Sequence, residues 1–384
     1  MIYLDTAATA PVRREALEAA WPYLTGTFGN PSSHHPVGEA AAAGLADARA
    51  RAAAVLGVRR SDVAFTAGGT EAANLAIKGL ALASPRGKHL VTAATEHDAV
   101  LASIDYLHRV HGFEVTFLEV APDGAVSPEA LREALREDTT LVSLALANNE
   151  IGTVHDIPAL AEVAHASGAL LHTDAVQAAG WLELRGLGAD ALTLSGHKLG
   201  APKGSGLAMI RGRLPVEPLV HGGGQENGRR SGTENVAFAV ALATALELAE
   251  TERIEATERL RPLRDLLVRL VLEAREDMLL TGADVDRPGA RLPGHASFCV
   301  PGRSGESIVL DLAEQGVISS SGSACAAGSD EPSHVLLALG IPHEVAQTAV
   351  RFTLGPRTTA AEVEEAATVI AEVLSRGRKA VRAG

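Results

Sequence analysis

Short apolar runs alternate with Ala-rich amphipathic stretches along the first two-thirds of the chain. The runs Val63–Thr66, His89–Thr92, Glu114–Leu118, Leu141–Leu146, Leu170–Thr173, Ala191–Leu194 and Gly206–Ile210 have the length of strands. Helical periodicity fills the gaps at Glu71–Ala83, Ala99–His111, Pro128–Leu135 and Ile157–Ser167. Strands alternating with helices of this size build βα units. The pattern therefore predicts an α/β fold, a large domain with a mostly parallel sheet flanked by helices. Ligands of such sheets bind outside the carboxyl ends of the strands, which directs attention to the loops there.

From about Asn235 the pattern changes. A long helical stretch runs through Leu248 to about Glu276, followed by strand-like Ala296–Val300, a helix around Ser304–Glu314, a Gly/Ser-rich loop at Ser319–Ser329 and closing helices. This predicts a smaller α+β C-terminal domain. The expected division is a large domain over residues 15–255 and a small domain made of residues 1–14 and 256–384, which carries the Gly/Ser-rich loop.

Composition narrows the chemistry. A net charge of −13 lacks the basic face of a nucleic-acid binder. The start, Met1 to Ala10, contains Asp5 and no basic region, so no signal peptide is expected. The most apolar stretch, Val236 to Leu248, is interrupted by Thr244 and Glu247 and falls short of the ~20 apolar residues of a membrane span. A soluble, cytoplasmic protein is expected. Two cysteines, Cys299 and Cys325, exclude a disulfide scaffold and a multi-cysteine metal site. Only Lys78, Lys88, Lys198, Lys203 and Lys379 among the 34 basic residues are lysine, so a lysine in a chemically loaded setting stands out.

Lys198 has such a setting. Ala191-Leu-Thr-Leu-Ser-Gly-His-Lys198 ends a strand with small and hydroxyl residues, as a Schiff-base lysine needs: the neighbours bind a phosphate while the amine reaches a carbonyl. An isolated lysine after a strand is ordinarily a surface residue, and the neighbouring segments decide between the two readings. Leu171-His-Thr-Asp174-Ala-Val-Gln177 ends another strand, with His172 and Asp174 on one face. Those two could ligate a metal, but no third ligand stands at a recognisable spacing. Asp174 could instead cap the following helix or pair with a protonated ring nitrogen such as the pyridinium of pyridoxal phosphate. Phe65-Thr-Ala-Gly-Gly69-Thr70-Glu71 joins strand to helix with exposed N–H groups suited to a phosphate. Gly186-Leu-Gly188 precedes a strand instead of a helix, Gly87-Lys88 lacks a following Ser or Thr, and no G-x-S-x-G or H-E-x-x-H occurs. Dinucleotide, nucleotide, esterase and metalloprotease readings fall away, and pyridoxal phosphate is left as the strongest.

Ser195-Gly-His-Lys198, preceded by His172-Thr-Asp174-Ala-Val-Gln177, resembles the cofactor site of class V aminotransferase-fold enzymes. Thr95-Glu-His97, Asn148-Asn149-Glu150-Ile-Gly152, the run from Gly222-Gly-Gly-Gln-Glu to Arg230-Ser-Gly-Thr233-Glu-Asn235, and Ser320-Ser-Gly-Ser-Ala-Cys325 narrow the resemblance. Together they are similar to cysteine desulfurases that supply sulfur for iron–sulfur clusters and thiolated tRNA. The motifs run in order from Tyr3-Leu-Asp-Thr-Ala-Ala to Arg351-Phe-Thr-Leu-Gly355, nearly the whole chain.

The resemblance implies a fold type I pyridoxal phosphate enzyme that converts L-cysteine to L-alanine and carries the sulfur as a persulfide. It implies Lys198 as the Schiff-base lysine and α-proton base, and Asp174 as partner of the pyridinium. Gln177 would donate to the cofactor's phenolic oxygen, with Asn149 near that oxygen and the substrate. His97 would stack on the ring and move protons; the bare sequence equally allows it to cap the helix from Ala99. Gly69, Thr70, Ser195 and His197 would hold the phosphate, and Thr233 would reach the phosphate of the partner subunit in a homodimer. Arg351 would clamp the substrate carboxylate, which its bidentate fork suits.

Cys325 would be the sulfur carrier. Ser, Gly and Ala surround it in what reads as an exposed, mobile loop where a thiolate is accessible. Cys299, between Phe298 and Val300, reads as a core residue. No intrinsic metal is implied, although Cys325 could ligate a cluster in passing. The implied partners are L-cysteine and protein sulfur acceptors such as an iron–sulfur scaffold, without nucleic acid or membrane. A selenocysteine lyase or an aminotransferase of the same fold is the alternative; it would keep Lys198 and Asp174 without needing Cys325. One departure stands out: Pro356 follows Gly355 where the family commonly has Arg. It is expected to alter the chain downstream of Arg351 without removing the clamp.

Overall fold

The computed structural model describes residues 1–83, 85–322 and 331–376; Cys325 lies outside the described residues. Seven strands form the main sheet in the order Val63–Thr66, Gly206–Ile210, Ala191–Ser195, Leu170–Asp174, Thr139–Ser143, His89–Ala93 and Glu114–Leu118. All neighbours run parallel except at Gly206–Ile210, which opposes both of its neighbours. Residues 196–205 link it to the preceding strand, and that is shorter than the dozen or so residues a parallel crossover needs. The apolar run 141–146 is a strand only as far as Ser143. Beyond it the Leu144 and Leu146 N–H groups still donate to the carbonyls of His172 and Asp174, so the chain follows its neighbour before turning at Asn148.

Two helices ahead of the first predicted strand, Arg14–Thr25 and Pro36–Leu56, were not evident from periodicity. The second is so rich in alanine that its buried and exposed faces differ little in hydrophobicity. Packing decides its place: Ala41, Leu45 and Ala48 meet Val240 and Ala243 of the long helix Val236–Ala274. The first half of that helix places Ala241, Leu242, Ala245 and Leu246 in the core under the main sheet. Its second half places Leu260, Leu267, Val268 and Val271 in a separate core.

That second core is covered by an antiparallel sheet ordered Ser320–Ser321, Ala349–Thr353, His295–Cys299 and Leu279–Leu280. Strand alternation sends Ala296, Phe298, Val350 and Phe352 into the core, where the two rings meet edge-on at 6.2 Å. Arg351 and Thr353 take the other face, with His295 opposite Thr353 and Ser297 opposite Arg351. Ile2–Tyr3 pairs with Val317–Ile318, and Ile2 and Leu4 join the same core. Among the described residues no helix is long and apolar enough to cross a membrane.

Candidate active site

Parallel strands deliver the loops after Thr66, Ala93, Ser143, Asp174 and Ser195 to one edge of the sheet. A cavity of about 790 Å³ lies there, lined by Gly69, Thr70, His97, Asn149, Asp174, Gln177, Ser195, His197, Lys198 and Arg351. Thr233 does not line it; it is exposed beside an adjoining hollow of about 160 Å³ that also touches Ala67, Gly204 and Ser205.

At one end of the cavity the helix Gly69–Ala83 begins directly against Ser195. A Cβ on Gly69 would sit 3.1 Å from Ser195 Cβ and 3.2 Å from Val176 Cγ2, so glycine lets the turn close. A helix start leaves N–H groups without helical partners and favours an anion. His197 Nδ1 lies 3.1 Å from Thr9 Oγ1, and burial, helped by Lys198 and Lys203, pushes the ring down to about 4. It is thus a neutral ring at neutral pH.

Asp174 stands at the inner wall. Its Oδ1 accepts the Val176 N–H at 2.9 Å, and Thr193 adds a side-chain hydrogen bond. Burial raises its carboxyl pKa, opposed by those contacts and by His97 and Lys198. His172, on the same strand, is not a metal partner for it. The His172 Nδ1 meets Ser143 Oγ at 2.8 Å and its Nε2 meets Thr193 Oγ1 at 3.2 Å, while burial pushes the ring to about 3. The result is a hydrogen-bonded chain from Ser143 through His172 and Thr193 to Asp174, with Ser143 and Thr193 as members that sequence reasoning missed.

Lys198 sits on a single helical turn, Gly196–Leu199, and not at the strand end itself. Its Nζ donates to the carbonyls of Ala7 and Ala8, the latter at 2.8 Å, and Gln177 Nε2 donates to Ala7 O at 3.0 Å. Residues near the chain start thus form one wall of the site. His97 lines the cavity, and its Nδ1 accepts the Ala99 N–H at 3.0 Å and caps the helix Asp98–His111.

Opposite, Arg351 is 2% exposed. Its Nη1 donates to Asn149 O and its Nη2 to Asp5 Oδ1, each at 2.9 Å, whereas Nε is buried without a partner among the described residues. Asp5 was visible in the sequence only as part of the opening motif. Downstream, Gly355 and Thr358 close a turn whose Pro356 and Thr358 carbonyls accept from Arg259. Glu96, also unforeseen, is buried beside the site with Oε1 accepting the Ala145 N–H at 2.8 Å. Cys299 is buried, as its apolar neighbours predict, and burial pushes its thiol up to about 12.

These residues fit pyridoxal phosphate. A carboxylate whose burial calls for a cation matches a pyridinium N–H, Lys198 supplies an amine on the same cavity, and the Gly69 turn is a cradle for a phosphate.

Comparison with known proteins agrees. The class V aminotransferase family matches residues 2–365. A cysteine desulfurase IscS of Dictyoglomus turgidum is 43% identical over 380 residues, covering 98% of this chain and 95% of that protein. An IscS-like cysteine desulfurase of Mycobacterium tuberculosis is 43% identical over 391 residues, covering 100% and 98%. Among solved structures, a NifS-like protein superposes with a TM-score of 0.89 at 34% identity, covering 98% of this chain and 99% of its own. SspA in complex with cysteine reaches a TM-score of 0.78 at 31% identity, covering 94% and 100%. The chain belongs to the class V aminotransferase family and, within it, to the cysteine desulfurases, which depend on pyridoxal phosphate.

Proposed function

We propose that this chain converts L-cysteine to L-alanine and carries the released sulfur as a persulfide on Cys325 to protein acceptors. One observation carries the reading: Lys198, Asp174 and a buried Arg351, whose Nε has no partner among the described residues, line a single cavity. Pyridoxal phosphate, when bound, supplies a carbonyl for amines and an electron sink for the carbon that loses its proton.

The chain's own residues do the rest. Gly69, Thr70, Ser195 and His197 would hold the phosphate, Asp174 the pyridinium N–H, and Gln177 and Asn149 the phenolic side. Arg351 binds the substrate carboxylate through Nε and a remaining Nη hydrogen, since its other contacts use one hydrogen each on Nη1 and Nη2. Lys198 Nζ takes the α-proton, and the Ala7 and Ala8 carbonyls hold the ammonium so formed. His97, anchored through Nδ1 by its cap, would offer its ring to the cofactor. The Cys325 thiolate attacks the substrate sulfur; an S–S bond forms, the Cβ–S bond breaks, and its electron pair stays with the carbon fragment, which gains protons and leaves as alanine. Only the thiolate attacks, so activity falls at acid pH.

The proposal includes a homodimer in which Thr233 serves the partner's cofactor, and a cytoplasmic setting, where a carrier thiol is kept from forming disulfides. It also includes the division into residues 15–255 and residues 1–14 with 256–384, supported by the two separate cores. The test is to mix purified holoenzyme with L-cysteine and a reductant and to measure alanine and sulfide. Cys325→Ala should lose sulfide but keep the cofactor's visible band, and Lys198→Ala should lose both. Sulfide production retained by Cys325→Ala would sink the persulfide step; an unchanged band in Lys198→Ala would sink the Schiff-base assignment.

A further inference from the structure

Four donors from the small sheet and the segment before it reach the turn that carries Asn149. Arg291 Nη1 donates to Ile151 O at 3.1 Å, the Leu292 N–H to Gly152 O at 2.9 Å, Arg351 Nη1 to Asn149 O at 2.9 Å, and His295 Nε2 to the same Asn149 O at 3.2 Å. We propose that His295 is a positioning residue for substrate recognition: by holding the Asn149 carbonyl it fixes the point on which the Arg351 guanidinium rests, and so fixes where Arg351 meets the carboxylate of an amino-acid substrate. The inference rests on Arg351 being the carboxylate clamp.

The geometry follows from the strands. His295 pairs with Thr353 and Ser297 with Arg351, so His295 and Arg351 are diagonal neighbours on one face of the small sheet, within reach of a shared partner. A carbonyl has two lone pairs, and Asn149 O gives one to each. Because a carbonyl only accepts, His295 Nε2 bears the proton. His295 is 2% exposed, and its Nδ1 is buried without a partner among the described residues. An imidazole with one orphaned nitrogen has been placed for the other nitrogen's contact, because a plain apolar side chain would fill the space without that cost. The ring is also wedged under the turn: a Cβ on Gly152 would lie 2.6 Å from His295 Cγ. Burial together with Arg291, Arg351 and Arg264 keeps the ring well below its ordinary 6.5, so it stays a neutral donor and adds no positive charge beside Arg351.

The experiment uses holoenzyme and three variants. His295→Leu fills the space without a donor, His295→Gln returns an amide N–H at similar reach, and Arg351→Lys tests the clamp itself. Titration of the cofactor's absorbance with L-alanine reads carboxylate-dependent binding, and titration with cysteamine, which has the amine and thiol but no carboxylate, reads everything else. His295→Leu should weaken L-alanine binding and raise the KM for L-cysteine by about five- to tenfold, the size of one lost hydrogen bond, with kcat and cysteamine binding within about twofold of wild type. His295→Gln should recover to within about twofold. The inference is overturned if His295→Leu binds L-alanine like wild type, if cysteamine binding falls as far as L-alanine binding, or if Gln does no better than Leu. Unchanged L-alanine binding in Arg351→Lys would overturn the clamp; weakened binding there with His295→Leu unaffected would overturn only the role of His295.

Discussion

Replacing Glu96 by Gln tests whether a protonated acid is buried beside the site. Glu96 is 1% exposed; Oε1 accepts the Ala145 N–H and Oε2 has no partner among the described residues. Burial first, then repulsion from Asp174, pushes its carboxyl from 4.5 up to about 8, against the pull of the Ala145 hydrogen bond. Between those two values the unfolded chain has released a proton that the folded chain still holds. Stability is therefore fully present below about 4.5 and is lost as pH rises toward 8, at about 1.4 kcal/mol per pH unit, or roughly 2.7 kcal/mol between pH 5 and 7. Buried His155, His172 and His295, whose values are lowered, tilt the curve the other way below their ordinary 6.5, so the wild-type slope alone is ambiguous. The difference between wild type and Glu96→Gln isolates the carboxyl, because Gln keeps the acceptor for Ala145 and cannot ionise. Urea unfolding at pH 5, 6, 7 and 8, at fixed protein concentration and cofactor loading, gives that difference. The variant should gain on wild type by about 2–3 kcal/mol from pH 5 to 7. A gap that stays constant with pH to within about 0.5 kcal/mol would refute the buried neutral acid.

Two further outcomes are expected. Asp174→Asn keeps an oxygen for the Val176 N–H but removes the charge that matches a pyridinium, so alanine formation should slow by about 10²–10³-fold with the chain still folded; a loss of less than about fivefold would contradict its role. Gly152→Ala puts a Cβ against the His295 ring at a φ of +73°, so the urea midpoint should drop by an amount equivalent to about 1–3 kcal/mol, with a raised KM for L-cysteine.

Much of the architecture was legible along the chain because a buried parallel sheet writes itself as short apolar runs between helical patterns. Val63–Thr66, Glu114–Leu118 and Gly206–Ile210 are strands with the boundaries the pattern assigns. The alanine-rich helix Pro36–Leu56 was not legible, since alanine neither marks a buried face nor avoids an exposed one. Gly206–Ile210 was recognisable as a strand, but its direction depends on the short link before it. Lys198, Asp174 and Gly69 announced themselves because each sits at a strand end or helix start with neighbours of matching chemistry. Asp5, Glu96, Thr193 and His295 did not, because their significance lies in partners far away in the chain: Asp5 with Arg351, His295 with Asn149.

The order of residues was therefore enough to establish the βα alternation, the acid at one strand end and the lysine just beyond its neighbour, and the family they resemble, because those signals are local in sequence. What needed the folded chain was the company each residue keeps. Folding turned His172 from a conceivable metal ligand into a neutral link between Ser143 and Thr193, and let His97 cap a helix and line the cavity at once. It also set Ala7 and Ala8 carbonyls against Lys198, and gave Arg351 one partner from the chain start and one from the turn at Asn149. Burial, charge and hydrogen bonding are properties of neighbours in space, and a linear sequence specifies those neighbours only once the two cores have closed.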